Sequence, residues 1–140
     1  MGAVILQLTL KNHYPEIDRI NREFNAFCVL HKIPNRIRRI FNTALDELLN
    51  NIISYGFKGE EKCCINIRVI LSKYRITMEI LDEGIPFNLL EAPEVDTESK
   101  LMDRALGGLG IHMLKNLVDE VQYERDGDKN RTTLIKNIEE

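Results

Sequence analysis

No apolar run in this chain approaches the roughly twenty residues that a membrane-spanning helix needs, and no basic-then-apolar leader opens it. The expectation is therefore a soluble, cytoplasmic protein with no membrane partner. Cysteine is scarce, with three in all, an odd number that does not make a disulfide framework. Cys63 and Cys64 are neighbours that fall on opposite faces of a strand, and Cys28 lies on a helical apolar stripe, so all three are read as reduced thiols. His13, His31 and His112 have no metal-ligand spacing with those cysteines, which argues against zinc. An excess of charge of one sign is also missing. The net charge is −3, so nothing points to a protein that works on nucleic acid. The short basic run Arg36, Arg38 and Arg39 reads as the solvated flank of a helix. Internal repeats are absent.

What is present suits one globular domain spanning residues 1–140, long enough to bury a core, and the hydrophobic fraction of 44% is ordinary for that class. Val4, Leu6, Leu8 and Leu10 alternate with Ile5, Gln7 and Thr9, which predicts a first strand. Pro15 suits the first turn of a helix. Its stripe is Ile17, Ile20, Phe24, Phe27, Cys28 and His31, ending near Pro34. A second helix starts at Pro34–Asn35, with stripe Ile37, Phe41, Ala44, Leu48, Ile52 and Tyr55, and Gly56 as its stop. A hairpin follows: Cys63, Ile65, Ile67 and Val69 alternate, Ser72-Lys73-Tyr74 turns, and Ile76, Met78 and Ile80 alternate on the return. From Ile85 to Leu106 the period is lost in a polar stretch, and so long a loop in a compact domain is usually functional or disordered. A third helix then runs from Ile111 to Val118. Two strands, Glu120–Glu124 and Thr132–Ile138, close the chain around a turn at Asp126-Gly127-Asp128. The predicted class is α+β: a two-layer α/β sandwich with a mixed, mostly antiparallel sheet and helices on one face.

Three segments carry chemistry. Leu106-Gly107-Gly108-Leu109-Gly110 leads into the third helix. Glycines let backbone N–H groups crowd toward one point, and a helix N-terminus adds its own unpaired N–H groups and positive dipole end, which makes a cradle for phosphate. A plain turn is the ordinary reading of such a cluster alone. Glu47 and Asn51 stand four apart, one turn apart on one face of the second helix. A carboxylate and an amide so placed can orient a hydroxyl and ligate a hard cation, or they can be a solvated helix flank. Asn50-Asn51 is a poor helix pair by propensity and needs a reason. Asp82-Glu83-Gly84 ends the strand that begins at Ile76, either as a base-reading device or as an ordinary turn.

In this order the three segments resemble the GHKL-type ATPase domain, with its Bergerat ATP-binding fold, and within it the short serine/threonine kinases that act as bacterial anti-sigma factors. The matching segments are Ala44-Leu45-Asp46-Glu47-Leu48-Leu49-Asn50-Asn51, Leu81-Asp82-Glu83-Gly84-Ile85-Pro86-Phe87-Asn88 and Gly107-Gly108-Leu109-Gly110-Ile111-His112-Met113-Leu114, together with the tail Val118–Arg125. The resemblance implies ATP as ligand and a magnesium ion held by Asn51. It implies Glu47 as general base for a serine hydroxyl, Asp82 as acceptor for the adenine amino group, and Gly84 as the close approach to the base. Gly108, Leu109 and Gly110 would wrap the phosphates, 85–106 would be a lid, Thr133 a further adenine contact, and Arg104 a charge partner for the γ-phosphate. Pro86 stands where the family has a glycine after Ile85, Asn88 where an acidic residue is frequent, and Arg131 where a glycine often precedes the threonines.

The function implied is transfer of the γ-phosphate to a serine or threonine of an anti-sigma-factor antagonist, with a sigma factor or other regulatory protein as second partner and a homodimer as the assembly. The competing reading is a nucleotide-gated protein-binding module without kinase activity. The catalytic half of a histidine kinase is disfavoured, because there is no room for a dimerising helix with its phosphoacceptor and His13 lies outside any such helix pair.

Overall fold

The computed structural model describes residues 2–56, 64–88, 90 and 108–138. Strand β1 (Val4–Lys11) leads into α1 (Pro15–Leu30) and α2 (Asn35–Asn51), then β2 (Cys64–Leu71), β3 (Arg75–Asp82), α3 (Gly108–Leu117), β4 (Glu120–Asp126) and β5 (Lys129–Asn137). The strands form one sheet in the order β1-β2-β3-β5-β4, antiparallel at every pairing. The last strand therefore inserts between β3 and β4. That choice sets Asp82 opposite Asn130 and Ile80 opposite Thr132.

Alternation decides which face of the sheet the helices cover. Ile65, Ile67 and Val69 of β2, Ile76, Met78 and Ile80 of β3, and Leu134 of β5 are buried with Leu10 of β1. They meet Ile20 and Phe24 of α1, Ile37, Phe41, Ala44, Leu45, Leu48 and Leu49 of α2, and Leu114 of α3. Phe24 and Phe41 pack edge to face with ring centroids 6.1 Å apart. The period-two and period-3.6 stripes in the sequence are the two halves of this core.

The first two helices are joined more tightly than the spacing predicts. Helix α1 stops at Leu30, where Lys32 takes a left-handed conformation (φ 56°) and Ile33 N–H donates to the Cys28 carbonyl at 2.9 Å. This six-to-one bond closes the helix end. A ladder of amides then fixes α1 against α2. Asn42 Nδ2 donates to Asn21 Oδ1 (2.7 Å) and Asn25 Oδ1 (3.0 Å), and Asn21 Nδ2 donates to Asp46 Oδ1 (2.9 Å). Helix α2 does not stop cleanly after Asn51 but widens into a π-helical turn, Ile52–Gly56. The glycine segment differs as well. Gly108 and Gly110 lie inside the first turn of α3 rather than before it. The β4–β5 hairpin is a two-residue loop with Gly127 at φ 64°, the position where glycine relieves strain. Cys28 is buried and Cys64 exposed, both free, and burial pushes the Cys28 thiol up to about 11.

Candidate functional site

The end of α2, the end of β3 and the start of β5 enclose a cavity of about 160 Å³. It is lined by Leu48, Asn51, Ile52, Ile80, Asp82, Ile85, Phe87, Asn130 and Thr132. A cavity of roughly 150 Å³ accommodates a planar six-membered ring. The lining is apolar apart from four polar side chains, the usual make-up of a small-molecule pocket.

Asp82 is the charged member and is 5% exposed. Its Oδ1 accepts from Gly84 N–H at 2.9 Å and from Asn130 Nδ2 at 3.0 Å. Burial raises the Asp82 carboxyl above the ordinary aspartate range, against the opposing pull of the Asn130 amide, the Gly84 N–H and the Arg125 charge. Since its folded pKa lies above the unfolded value, the ionised group costs the fold stability, and that cost appears as pH rises from the unfolded toward the folded pKa. Asp82→Asn keeps an acceptor at Oδ1 and removes the charge. The ligand-free variant is expected to melt higher than wild type at neutral pH, with the difference shrinking as pH falls through the Asp82 range. Calorimetry across pH checks this, and a lower neutral-pH melting temperature counts against it.

Asn51, at the last position of α2, enters the same cavity. Its Nδ2 is buried and has no hydrogen-bond partner among the described residues, a state that buried amides rarely keep without a ligand or water to meet them. The widening of the helix just after Asn51 is of the kind that recurs at functional sites. Glu47 is half-buried one turn earlier on the same helix face, and it is not among the side chains that line the cavity. Burial, and secondarily the Asp46 charge, raise its carboxyl above the ordinary glutamate range. Helix α3, opening with Gly108-Leu109-Gly110, packs against α2, which carries both Glu47 and Asn51. Lys115 Nζ donates to the Leu90 carbonyl at 3.4 Å and ties α3 to the segment after β3.

The structure therefore brings Asn51 and Asp82 together in the cavity, bonds Gly84 N–H to Asp82 and sets Glu47 one turn from Asn51. Thr133 is placed elsewhere. It lies on the opposite face of the sheet, with Glu79, Gln122 and Arg131, and its neighbour Thr132 enters the cavity. The reason is the strand's period of two: Leu134 faces the core, so Thr132 and Asn130 must face it too. Counting back from Leu134 finds both. Arg131, which replaces a frequent glycine, also points to the far face and pairs with Glu124 at 3.4 Å, so it leaves the cavity clear. Arg104, Gly107 and most of the 85–106 segment lie outside the described residues.

Comparison with known proteins agrees with this geometry. The family model described as the histidine kinase-like ATPase domain matches residues 11–136. The chain is 25% identical over 102 residues to the serine/threonine-protein kinase BtrW of Bordetella bronchiseptica, covering 73% of this chain and 72% of that protein. It is 34% identical over 82 residues to the anti-sigma F factor of Bacillus thuringiensis, and equally to that of Bacillus mycoides, covering 57% of this chain. The matched stretch spans only 55%, about half, of those anti-sigma factors. With a strand-end carboxylate and a helix-end amide meeting in one apolar cavity, and a family match over nearly the whole length, the chain belongs to the histidine kinase-like ATPase domain family, whose membership implies ATP as the ligand.

Proposed function

We propose that this protein is an anti-sigma-factor-type serine/threonine kinase that transfers the γ-phosphate of ATP to a serine or threonine of an anti-sigma-factor antagonist. The observation that carries the reading is the convergence of Asn51, whose buried Nδ2 has no partner among the described residues, and Asp82, with one carboxylate oxygen left over, in a cavity of about 160 Å³. Adenine lies against Ile80, Ile52 and Thr132, and its amino group donates to Asp82. Gly84 keeps the chain beside the base free of a side chain. The phosphates extend toward the opening turn of α3, where the N–H groups of Gly108, Leu109 and Gly110 and the helix dipole favour negative charge.

Asn51, which lines the cavity, would offer its amide oxygen to a magnesium ion, a hard cation that takes oxygen ligands. When bound, the cation neutralises charge on the transferring phosphoryl group. Glu47 takes the proton from the attacking hydroxyl as the oxygen–phosphorus bond forms and ADP departs. Its raised carboxyl must be ionised to do so, so the rate falls as pH drops through a value above 4.5, the ordinary glutamate value. A pH–rate profile whose acid limb lies at or below that value removes Glu47 from this role.

The partners fitting this reading are the antagonist protein as substrate and a sigma factor or other regulatory protein. The assembly is a homodimer in the cytoplasm, with no direct contact to nucleic acid or membrane. Among the described residues no helix is long and apolar enough to cross a membrane. A second reading, a nucleotide-gated binding module without kinase activity, is favoured by the absence of Glu47 from the cavity lining. Labelled ATP, magnesium and an antagonist protein separate the two: transfer of label supports the kinase, and tight binding without transfer supports the module. ATP with magnesium at about 100 times its Kd is expected to add about 2.7 kcal/mol of stability, read as a raised melting temperature. No rise at all removes the nucleotide assignment.

A further inference from the structure

We infer that Asn130 is the positioning residue that gives this site its preference for a base bearing an exocyclic amino group. This rests on the ATP reading of the cavity and goes beyond it, because Asn130 acts on the base through Asp82.

Asn130 is 2% exposed, a fully sequestered amide at the start of β5. Buried asparagine is uncommon, and here every hydrogen-bonding position is used. Nδ2 donates to Asp82 Oδ1 at 3.0 Å and to the Ile85 carbonyl at 2.8 Å, with a longer approach to the Gly84 carbonyl at 3.5 Å. Oδ1 accepts from the Tyr123 hydroxyl and from Phe87 N–H, the latter at 3.4 Å. One side chain thus joins the carboxylate on β3, the chain running from Gly84 to Phe87 and a tyrosine on β4. Arg125 adds a second tie, Nη1 to the Gly84 carbonyl at 2.8 Å.

The consequence is chemical. Oδ1 of Asp82 already accepts from Asn130 and Gly84, so Oδ2 is the oxygen left to meet a ligand. A carboxylate held this way accepts from an amino group and meets a carbonyl at the same place with repulsion. Without the Asn130 amide, Oδ1 keeps only the Gly84 N–H, the direction of the carboxylate is less fixed and the discrimination falls. Asn130 therefore sets both the direction of the acceptor and the path of the chain that borders the cavity.

The test compares ATP with inosine triphosphate, which carries a carbonyl in place of the amino group. Affinities are measured by calorimetry for wild type, Asp82→Ala, Asn130→Ser, Tyr123→Phe and the Asp82→Ala/Asn130→Ser double variant. Wild type is expected to prefer ATP. Asn130→Ser is expected to lower the preference by about tenfold or more, the scale of one lost hydrogen bond to a charged group. The double variant is expected to be no worse than Asp82→Ala, since the two act as a unit. Tyr123→Phe removes only a hydroxyl and keeps the ring. It is expected to lower the preference several-fold and guards against a folding defect in Asn130→Ser. Equal loss of both nucleotides in Asn130→Ser, with the wild-type preference retained in Tyr123→Phe, overturns the inference while Asp82→Ala still tests the site itself. A wild-type protein that binds both nucleotides alike overturns the reading of Asp82 as well.

Discussion

Glu47→Gln is expected to reduce phosphoryl transfer by roughly 10²–10⁴-fold, the usual contribution of a positioned general base, while ATP still raises the melting temperature as in wild type. The substitution is nearly isosteric. It keeps the helix, leaves Asn51 one turn away and removes only the capacity to take a proton. Glu47 is half-buried, and among the described residues its carboxylate accepts no hydrogen bond. Burial raises its pKa, which is the direction that makes a carboxylate a better base near neutral pH. The neighbouring Asp46, whose Oδ1 accepts from Asn21 at 2.9 Å, belongs to the α1–α2 ladder and has a different task. Transfer that continues at the wild-type rate in Glu47→Gln removes this residue as base. Loss of ATP-dependent stabilisation shows instead that the carboxylate helps to hold the nucleotide complex.

The largest effect on stability is expected at Phe41. Its ring is fully buried on α2 against Phe24, facing the sheet. Phe41→Ala removes that volume where the sheet and α1 can collapse only in part, and the cost is about 3–5 kcal/mol. A domain of this size is stable by about 5–15 kcal/mol, so the variant loses a large share of its margin and melts about 10 °C or more lower. Because α2 carries Glu47 and Asn51, ATP should recover part of the loss, up to its own contribution to stability by mass action. Denaturant melts with and without ATP and magnesium measure both quantities. A loss under about 1 kcal/mol shows that the core closes around the gap.

Part of the site is legible in the sequence. Glu47 and Asn51 are four apart on one helix, and that spacing places them on one face whatever the rest of the chain does. Asp82 followed by Gly84 is local in the same way: the glycine N–H bonds the carboxylate two residues back. The helices and the β2–β3 hairpin are also readable, because each buries a stripe whose period its own backbone dictates. Thr132 and Asn130 escape such a reading for a different reason. Periodicity alone starts the last strand at Thr132, whereas β5 begins at Lys129, so Asn130 falls outside the expected strand. Thr133 is implied by the family resemblance alone, and the period of two counted from Leu134 sets Thr132 on the cavity face and Thr133 on the other.

The local geometry is written in the sequence: three helices, the greater part of each strand and the one-turn pairing of Glu47 with Asn51. Only the tertiary structure decided that β5 lies between β3 and β4. Strand pairing joins residues far apart in the chain, and no periodicity encodes which partner a strand selects. That single choice puts Asn130 across from Asp82, 48 positions away, and so makes a buried carboxylate with one oxygen free out of what is otherwise an ordinary strand end.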